Sequence, residues 1–347
     1  MKRNLCLSIL AITFLLATNT AHALDPIPGE SGFSGFVRAG VGVINLESNM
    51  VAGNRFLDMG SESTNSLTGS ADSESSGMAM INFEVAYTFS QTRTQLTLGS
   101  QLEDIATMQL SQQLAVKQEL PDKSIIMAGF LFSGIPTEVW EDPYVINRDR
   151  KETDRDSTGL RLVYDRILGS SFELSYTYRN VDIDNEKSGV DLVTKGELNA
   201  ADRSLLSRDG DDHRLELSYR FTMEDRHRLI PSITYFNNDR DGDAMSNDGF
   251  DVQLTYMFLD DPVTVVLNGI IGQADYDRSN PIYGKSQDDD RYGLGAQIYY
   301  KNPFGWQPFG LENFSVFATA SYWYTDANID FYDTQAVIGL IGAMFTF

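Results

Sequence analysis

The most constraining feature of this sequence is an alternation of apolar and polar residues that recurs from Gly32 to the end of the chain. Each stretch of about ten residues puts its apolar side chains on one face, as a half-apolar β-strand does. The clearest stretch has on its apolar face Ala79, Ile81, Phe83, Val85, Tyr87 and Phe89. The pattern predicts an all-β protein.

Fourteen such segments can be counted, at approximately 32–46, 77–90, 92–102, 106–120, 124–132, 157–166, 171–181, 212–222, 228–238, 249–259, 263–275, 290–302, 313–324 and 334–347. Two of them, 124–132 and 263–275, are apolar on both faces. Pro231 interrupts the ninth segment. Because proline has no N–H to donate to a neighbouring strand, we expect a bulge or a lost pairing there.

The connections between the segments alternate in length. Those after the even-numbered segments are mostly tight turns, and only the last of them, 301–313, is longer. Most of the others are long and acidic, at 47–76, 133–156, 182–211, 239–248 and 276–289, with a short exception around Glu103. Short turns at one end and long loops at the other are typical of an outer-membrane β-barrel, with turns in the periplasm and loops outside.

A soluble β-sandwich also alternates, but it gives no reason for aromatic residues at both ends of the strands. Here aromatics near the short turns include Tyr87, Phe89, Tyr219, Phe221, Tyr256, Phe258 and Tyr300. Those near the long loops include Tyr176, Tyr178, Tyr235, Phe250, Tyr292, Tyr322 and Tyr324. Two such bands are typical of the two membrane interfaces. We predict a transmembrane antiparallel up-and-down β-barrel of fourteen strands, with about 12–16 compatible with the pattern.

The first 23 residues have the pattern of a secretory signal peptide. Lys2 and Arg3 precede an apolar run from Leu5 to Ala17, and Ala21-His22-Ala23 forms an A-x-A cleavage site. The prediction is a removed segment 1–23 and one barrel domain, 24–347. The sole cysteine, Cys6, falls in the removed segment, so a disulfide or a thiol nucleophile is not expected in the mature protein.

Without the signal peptide the chain carries 25 basic and 49 acidic residues, a net charge of −24. This balance argues against a nucleic-acid partner, whose phosphates need lysine and arginine. The polar strand faces nevertheless hold seven cations and six carboxylates, so the excess acid lies in loops and turns. These candidate pore-lining residues are Arg38, Glu84, Arg93, Lys117, Glu119, Arg161, Asp165, Glu173, Arg179, Arg214, Glu216, Arg220 and Asp251.

Two interpretations of the charged interior remain open. A wet lumen with charged walls passes ions and small polar solutes, whereas the same charges can pair across the lumen and plug it. Barrels of about eight strands are filled by side chains, and those of 16–18 strands leave a channel, so fourteen strands favour a passage.

The acidic loop "NNDRDGDAMSND" has oxygen ligands at alternate positions, as a calcium loop has. The candidate ligands are Asn237, Asp239, Asp241, Asp243 and Asp248. A solvated hairpin loop is the competing interpretation, because a bidentate glutamate and flanking helices are missing. Ca²⁺ or Mg²⁺ held by such loops would bridge lipopolysaccharide. His213, beside two aspartates, is a weak catalytic candidate, and we predict that the protein is not an enzyme.

The stretch "IPGESGFSGFVRAGVGVINLESNMVAGN" at 27–54, with the aromatic end of the chain, resembles a bacterial family known as domain of unknown function 2860. That resemblance implies an outer-membrane barrel along the whole mature chain, and it implies no activity or binding residue.

The last segment, "VIGLIGAMFTF", is predicted to be the final strand, with Phe345 and Phe347 on its lipid face. It must pair with the first strand to close a barrel, so that glycines of both meet at the seam. A terminal phenylalanine of this kind resembles the signal that the barrel-assembly machinery recognises in outer-membrane proteins.

The leading functional prediction is a porin-like passive channel for small hydrophilic solutes in the outer membrane of a Gram-negative bacterium. An acidic mouth would favour cations. The alternative is a non-conducting surface protein whose long acidic loops bind divalent cations, lipopolysaccharide or a partner.

Overall fold

The fold is described here from a computed structural model, which covers Leu24, residues 26–104, 109–306, Pro308 and residues 313–347. Fourteen antiparallel strands form a closed barrel, as predicted. In chain order the strands are β1 (Gly32–Glu47), β2 (Val51–Asn54), β3 (Leu57–Asp58), β4 (Ser73–Phe89), β5 (Thr94–Asp104), β6 (Gln109–Glu119), β7 (Ile125–Ser133), β8 (Thr137–Trp140), β9 (Glu152–Asp165), β10 (Phe172–Ile183), β11 (Gly210–Tyr219), β12 (Phe221–Met223), β13 (His227–Arg240), β14 (Asn247–Asp260), β15 (Val263–Asn280), β16 (Lys285–Lys301), β17 (Phe314–Ala327) and β18 (Thr334–Thr346). Three short strands, β2, β3 and β8, lie in loops, and β11 and β12 together form one strand of the wall.

The barrel closes because β1 pairs with β4 on one side and with β18 on the other. Gly40 is opposite Gly342 at this seam, as the sequence predicts. The approach is close: a Cβ atom built on Gly42 would lie 1.9 Å from the carbonyl oxygen of Gly339. The glycines therefore let the first and last strands of the wall meet.

The two faces of the wall differ as the alternation predicts. On β1 the outward Val37, Val41 and Val43 are exposed, whereas the inward Arg38 and Ile44 are buried. The aromatic bands also form: Tyr87 contacts Phe33 and Phe89 near the short turns, and Tyr292 stacks on Tyr324 near the long loops. An apolar outer belt with aromatic rims suits a lipid environment, in which a closed ladder satisfies the backbone.

The strands extend further toward the long loops than the sequence predicts. β4 begins at Ser73, β9 begins at Glu152, and β15 and β16 form a hairpin whose tip is only residues 281–284. The prediction of a long loop at 276–289 is therefore wrong. Beyond the apolar belt both faces of these strands are polar, so the alternation that marks a strand disappears although the hydrogen-bonded ladder continues.

Pro231 has the effect predicted for it, but on one side only. The pairing with β14 is continuous through Pro231. On the other side the pairing stops at Ser218–Ser232 and resumes at Phe221–Leu229. Because proline has no N–H, the neighbouring strand breaks into β11 and β12 opposite it.

The connections at the long-loop end fold into one cluster, which we call the loop cap. Two short helices, α1 (Val190–Lys195) and α2 (Ala200–Arg203), lie in one of its loops. The loop cap consists of Tyr144, Leu192, Leu206, Met245, Ala327, Ile329, Phe331 and Tyr332, with Met50, Leu67, Leu198, Ile282 and Tyr283 packed against them. Every described connection at the long-loop end contributes to it, and the connection at 105–108 lies outside the described residues.

Among the described helices, none is long and apolar enough to span a bilayer.

Candidate functional site

A polar cavity of about 250 Å³ lies inside the barrel directly beneath the loop cap, and we call it the upper cavity. Met50, Met245 and Tyr332 belong both to the loop cap and to the cavity lining. The charged residues of the lining are Arg155, Arg179, Arg214, Arg240 and Arg291, with Asp212 and Asp289. Five cations against two carboxylates give this space a positive formal charge, although the chain as a whole is strongly acidic.

Ion pairs and aromatic rings hold the arginines of the upper cavity in place. The Arg240 guanidinium donates to the Asp212 carboxylate at 2.5 Å. The Arg291 guanidinium lies 3.3 Å from the carboxylate of Asp251, which is on β14. The Arg291 guanidinium also lies over the ring of Phe236, at 4.7 Å from its centroid. Cation–π and ionic contacts of this kind orient a guanidinium without removing its charge.

The loop cap is closed by aromatic packing and buried hydrogen bonds. Phe331 is fully buried and stacks on Tyr144 at 5.6 Å between ring centroids. The hydroxyls of Tyr144 and Tyr332 are 2.7 Å apart, and Asn280 donates to Tyr332 at 2.7 Å. Burial raises the pKa of the Tyr144 phenol well above its ordinary value, so it stays a neutral hydrogen-bonding group.

Arg150 joins the first long loop to the third. Its guanidinium lies 4.4 Å from the centroid of the Trp140 ring and donates to the carbonyl oxygens of Asn49, Ser61 and Pro143. Burial lowers the pKa of Arg150 to about 10, which still leaves it charged at neutral pH. These contacts hold the first loop down inside the mouth of the barrel.

A second cavity, of about 600 Å³, lies at the short-turn end of the barrel and is called here the lower cavity. Its lining includes Tyr299, Lys301 and Met344 from the walls, with Asp260 and Asp261 from a turn. The upper and lower cavities have no lining residue in common.

An inner apolar cluster lies inside the barrel. Along β16 and β17, its level is between that of the upper cavity and that of the lower cavity. Arg38 reaches into it, with its guanidinium 4.9 Å from the centroid of the Phe317 ring. Arg38 also donates to the Tyr299 hydroxyl at 2.5 Å. Phe317 belongs to the same buried cluster as Met80, Trp323, Ile338 and Leu340. Arg38 and Phe317 therefore narrow the barrel between the two spaces.

Most of the predicted pore-lining residues face the barrel interior, but at different levels. Arg179 and Arg214 line the upper cavity, and Asp251 lies beside its Arg291. Arg161 donates to Thr177 at 2.9 Å, and Glu216 accepts a bond from Thr234. Inward positions on the walls are also taken by Glu84, Lys117, Glu119, Asp165 and Glu173.

Two of the predicted residues do not lie on a strand. Arg93 has φ 55° in the turn between β4 and β5, and its pair with Glu119, at 2.6 Å, lies at the short-turn rim. Arg220 occupies the break between β11 and β12, where its N–H donates to Ser171. The prediction that both belong to strand faces is therefore wrong. Arg93 lies in a turn and Arg220 lies in the break opposite Pro231, so neither belongs to a strand.

Sequence reasoning missed most of the charged residues of the upper cavity, namely Arg155, Arg240, Arg291, Asp212 and Asp289. Arg155 and Asp289 were assigned to long loops because the strands that carry them lose their alternation beyond the apolar belt. Arg240 was assigned to the loop of the calcium-like motif. The continued period of two from Asp289 to Arg291 and Gly293 is the signal that would have identified this inward face.

The candidate calcium ligands are spread along a hairpin. Asn237 and Asp239 lie on β13 opposite His213 and Asp211, and Asp243 pairs with Arg278 at 3.0 Å. Among the residues that the structure describes, no group of three or more acidic, histidine or cysteine side chains is arranged to hold a metal ion. His213 bonds the Tyr176 hydroxyl at 2.8 Å. Calcium binding stays a prediction.

An acidic group at the rim responds to pH. The pKa of Glu138, on the loop strand β8, is raised to about 7 by burial and then by the nearby Glu152, Asp154 and Asp58. The folded loop thus binds a proton more tightly than the unfolded chain does. Its stabilisation is present below the ordinary glutamate value of 4.5 and is lost as pH rises through about 7.

We therefore expect limited proteolysis of residues 134–151 to be slower at pH 5.5 than at pH 8, because the protonated Glu138 tolerates its acidic neighbours. Glu138→Gln should remove most of this difference. Cleavage rates are measured on the folded protein at both pH values, with Glu197→Gln, an exposed loop carboxylate, as the matched control. A Glu138→Gln protein that keeps the wild-type pH dependence would contradict the assignment.

A family model matches residues 32–346. The chain belongs to the family described as "Protein of unknown function (DUF2860)". The resemblance predicted from the sequence is thereby confirmed. A search of the curated proteins finds no match.

Solved structures of bacterial barrels are similar to this chain in overall fold. A FadL homologue from Pseudomonas aeruginosa is 10% identical, with a TM-score of 0.46 and 90% of each chain covered. The CymD monoaromatic hydrocarbon channel is 8% identical, with a TM-score of 0.44, covering 92% of this chain and 89% of its own. The outer membrane channel DcaP of Acinetobacter baumannii is 9% identical, with a TM-score of 0.42, covering 92% of this chain and 97% of its own.

Proposed function

We propose that the protein is a passive channel in the outer membrane of a Gram-negative bacterium and that it passes small polar solutes, anions in preference to cations. The observation that carries the proposal is the arginine-lined upper cavity beneath a cap built from loops. The apolar belt with its aromatic rims supports the membrane location. The long loops would face outward and the short turns the periplasm.

The proposed path has three parts. A solute enters the upper cavity when the loop cap opens, passes Arg38 and Phe317, and leaves through the lower cavity. Arg38 would then serve as the charged group between the two cavities, where one guanidinium attracts an anion and repels a cation. Passive diffusion needs no further chemistry from the wall.

The charge of the upper cavity reverses the preference expected from the sequence. The acidic loops suggest a cation channel, but loop carboxylates are solvated and screened over about 8 Å at physiological ionic strength. Charges that line a narrow space surrounded by protein are screened much less. Arg214 and its neighbours in the lining should therefore outweigh the acidic loops in choosing the permeant ion.

Reversing the charge of Arg214 should shift selectivity toward cations. Arg214→Glu replaces an attraction for anions by a repulsion inside the upper cavity, and we expect the anion-to-cation permeability ratio to fall about tenfold, equivalent to about 1.4 kcal/mol. The measurement is the reversal potential across a planar bilayer in a KCl gradient. Arg278→Glu is the matched control, because Arg278 is an exposed residue near the outer end of β15 and is paired with Asp243. Equal shifts for both variants would contradict the proposal.

The alternative is a non-conducting surface protein whose acidic loops bind divalent cations, lipopolysaccharide or a partner. The same bilayer experiment separates the two functions. If a folded barrel with an opened loop cap carries no ion current, the channel proposal is wrong and the alternative is favoured.

A further inference from the structure

The start of the described chain lies inside the barrel at its short-turn end. Leu24 packs against Ala115, Met127 and Val163, which are inward residues of β6, β7 and β9. Ile27 is buried as well, with 2% of its surface exposed. Leu24 and Ile27 thus lie against the inner wall of the barrel.

Two arginines at the rim hold the backbone of this segment. Arg93 donates to the carbonyl oxygens of Ile27 and Pro28, each at 2.6 Å. Arg166 donates to the carbonyl oxygen of Leu24 at 3.4 Å. Arg93 and Arg166 lie in different turns, so the segment is attached at two separated points of the rim.

A carboxylate lies at the far end of the segment. The backbone amide of Leu24 lies near the side chain of Glu173, which is 7% exposed. The second carboxylate oxygen of Glu173, Oε2, is buried and has no hydrogen-bond partner. An ionised carboxylate in such a position is costly unless further donors or a positive charge meet it.

The charged surroundings of Glu173 increase this need. Asp165 and Glu216 act on it as like charges, and Arg220 is the cation that acts on it. Asp165 is itself paired with Arg166 at 3.0 Å. A further positive charge at the place where Leu24 lies would therefore be attracted to Glu173.

The sequence supplies that charge if Ala21-His22-Ala23 is the processing site. Hydrolysis of the Ala23–Leu24 peptide bond adds one water molecule across the C–N bond. Ala23 keeps the carboxylate, and the released amine of Leu24 takes up a proton to become –NH₃⁺. One amide donor is thereby replaced by an ammonium with three donors and a full charge.

We propose that the α-ammonium of the processed chain, at Leu24, binds the Glu173 carboxylate inside the barrel and so ties the N-terminal segment to the inner wall at the short-turn end. The inference rests on processing after Ala23 and does not depend on whether the barrel conducts. Signal-peptide removal then has a structural role beyond export, because it creates the cation that completes a buried ion pair.

The test measures how accessible the amine of Leu24 is in the mature, refolded protein. The probe is 2-pyridinecarboxaldehyde, which labels N-terminal amines, and the labelled N-terminal peptide is quantified by mass spectrometry. We expect labelling of the folded wild type to be at least about tenfold slower than that of the unfolded chain. Glu173→Gln should recover most of the unfolded rate, because the neutral amide does not hold the ammonium.

The matched control is Asp251→Asn. Asp251 lies on β14, away from Leu24, and its carboxylate is an interior one that pairs with Arg291. This variant should stay protected. Folding of each variant is checked by heat modifiability in gel electrophoresis. Protection that persists in folded Glu173→Gln would overturn the proposal, because the amine would then be shielded by its position alone. Equal labelling of folded and unfolded wild type would overturn it as well.

A second measurement covers the case in which Glu173→Gln does not fold. Acetylation of the Leu24 amine removes its charge and leaves every side chain unchanged. The acetylated wild type should unfold at a lower urea concentration than the free-amine protein, whereas unchanged stability would contradict the ion pair.

Discussion

Phe331→Ala is expected to produce a channel that stays open for much longer than the wild type. Phe331 is the fully buried centre of the loop cap, in contact with Tyr144, Tyr283 and Tyr332. Truncation of a buried phenylalanine typically removes about 3–5 kcal/mol of packing. If that energy stabilises the closed cap, about 3 kcal/mol shifts the closed-to-open equilibrium about a hundredfold.

The measurement is single-channel recording of refolded protein in a planar bilayer, with the open fraction as the readout. Phe304→Ala is the matched control, because Phe304 is fully exposed in the turn between β16 and β17 at the opposite end. The control should behave as the wild type does. An unchanged open fraction in folded Phe331→Ala would mean that the loop cap does not limit the current.

Gly42→Val is expected to prevent most of the protein from reaching the closed barrel. A Cβ at Gly42 would lie 1.9 Å from the Gly339 carbonyl oxygen and 2.6 Å from a methyl group of Leu340. Overpacking of side chains costs about 1–3 kcal/mol, and a clash with a hydrogen-bonded backbone oxygen is harder to relieve. Because the clash lies at the seam between β1 and β18, it opposes the step that closes the wall.

The folded fraction after refolding in detergent is the quantity to measure, by heat modifiability. We expect it to fall at least about tenfold, because a loss of about 1.4 kcal/mol in the free energy of folding changes the folding equilibrium tenfold. Gly77→Val is the matched control: Gly77 lies on β4 opposite Val43, and nothing lies within 4 Å of a Cβ built there. Equal folding of the two variants would show that the seam does not need a glycine at position 42.

The fold could be predicted almost completely from the sequence, and the reason is physical. In a membrane barrel each strand has one lipid-facing side, so most segments within the apolar belt show a period of two in their sequence. The strand count, the seam between β1 and β18 and the break at Pro231 all follow from it. The ends of β15 and β16 do not, because both faces are polar there.

The candidate site was less predictable than the wall. Arg179 and Arg214 are identified because they alternate with lipid-facing residues, whereas Arg155 and Asp289 lie on strand extensions that carry no such contrast. The loop cap was missed entirely. Its residues come from loops far apart in sequence, and no local periodicity indicates that Tyr144 and Phe331 will pack together.

The interruption opposite Pro231 also weakens one joint of the wall mechanically. The seam between β1 and β18 has twelve register pairs, whereas β12 has only three with β13 before the ladder is interrupted. Strands separate by losing ladder bonds in succession, and a short ladder next to a gap offers the least resistance. Under a pulling force this joint should therefore begin to open between β12 and β13, and the uninterrupted junction of β1 with β18 should hold longer.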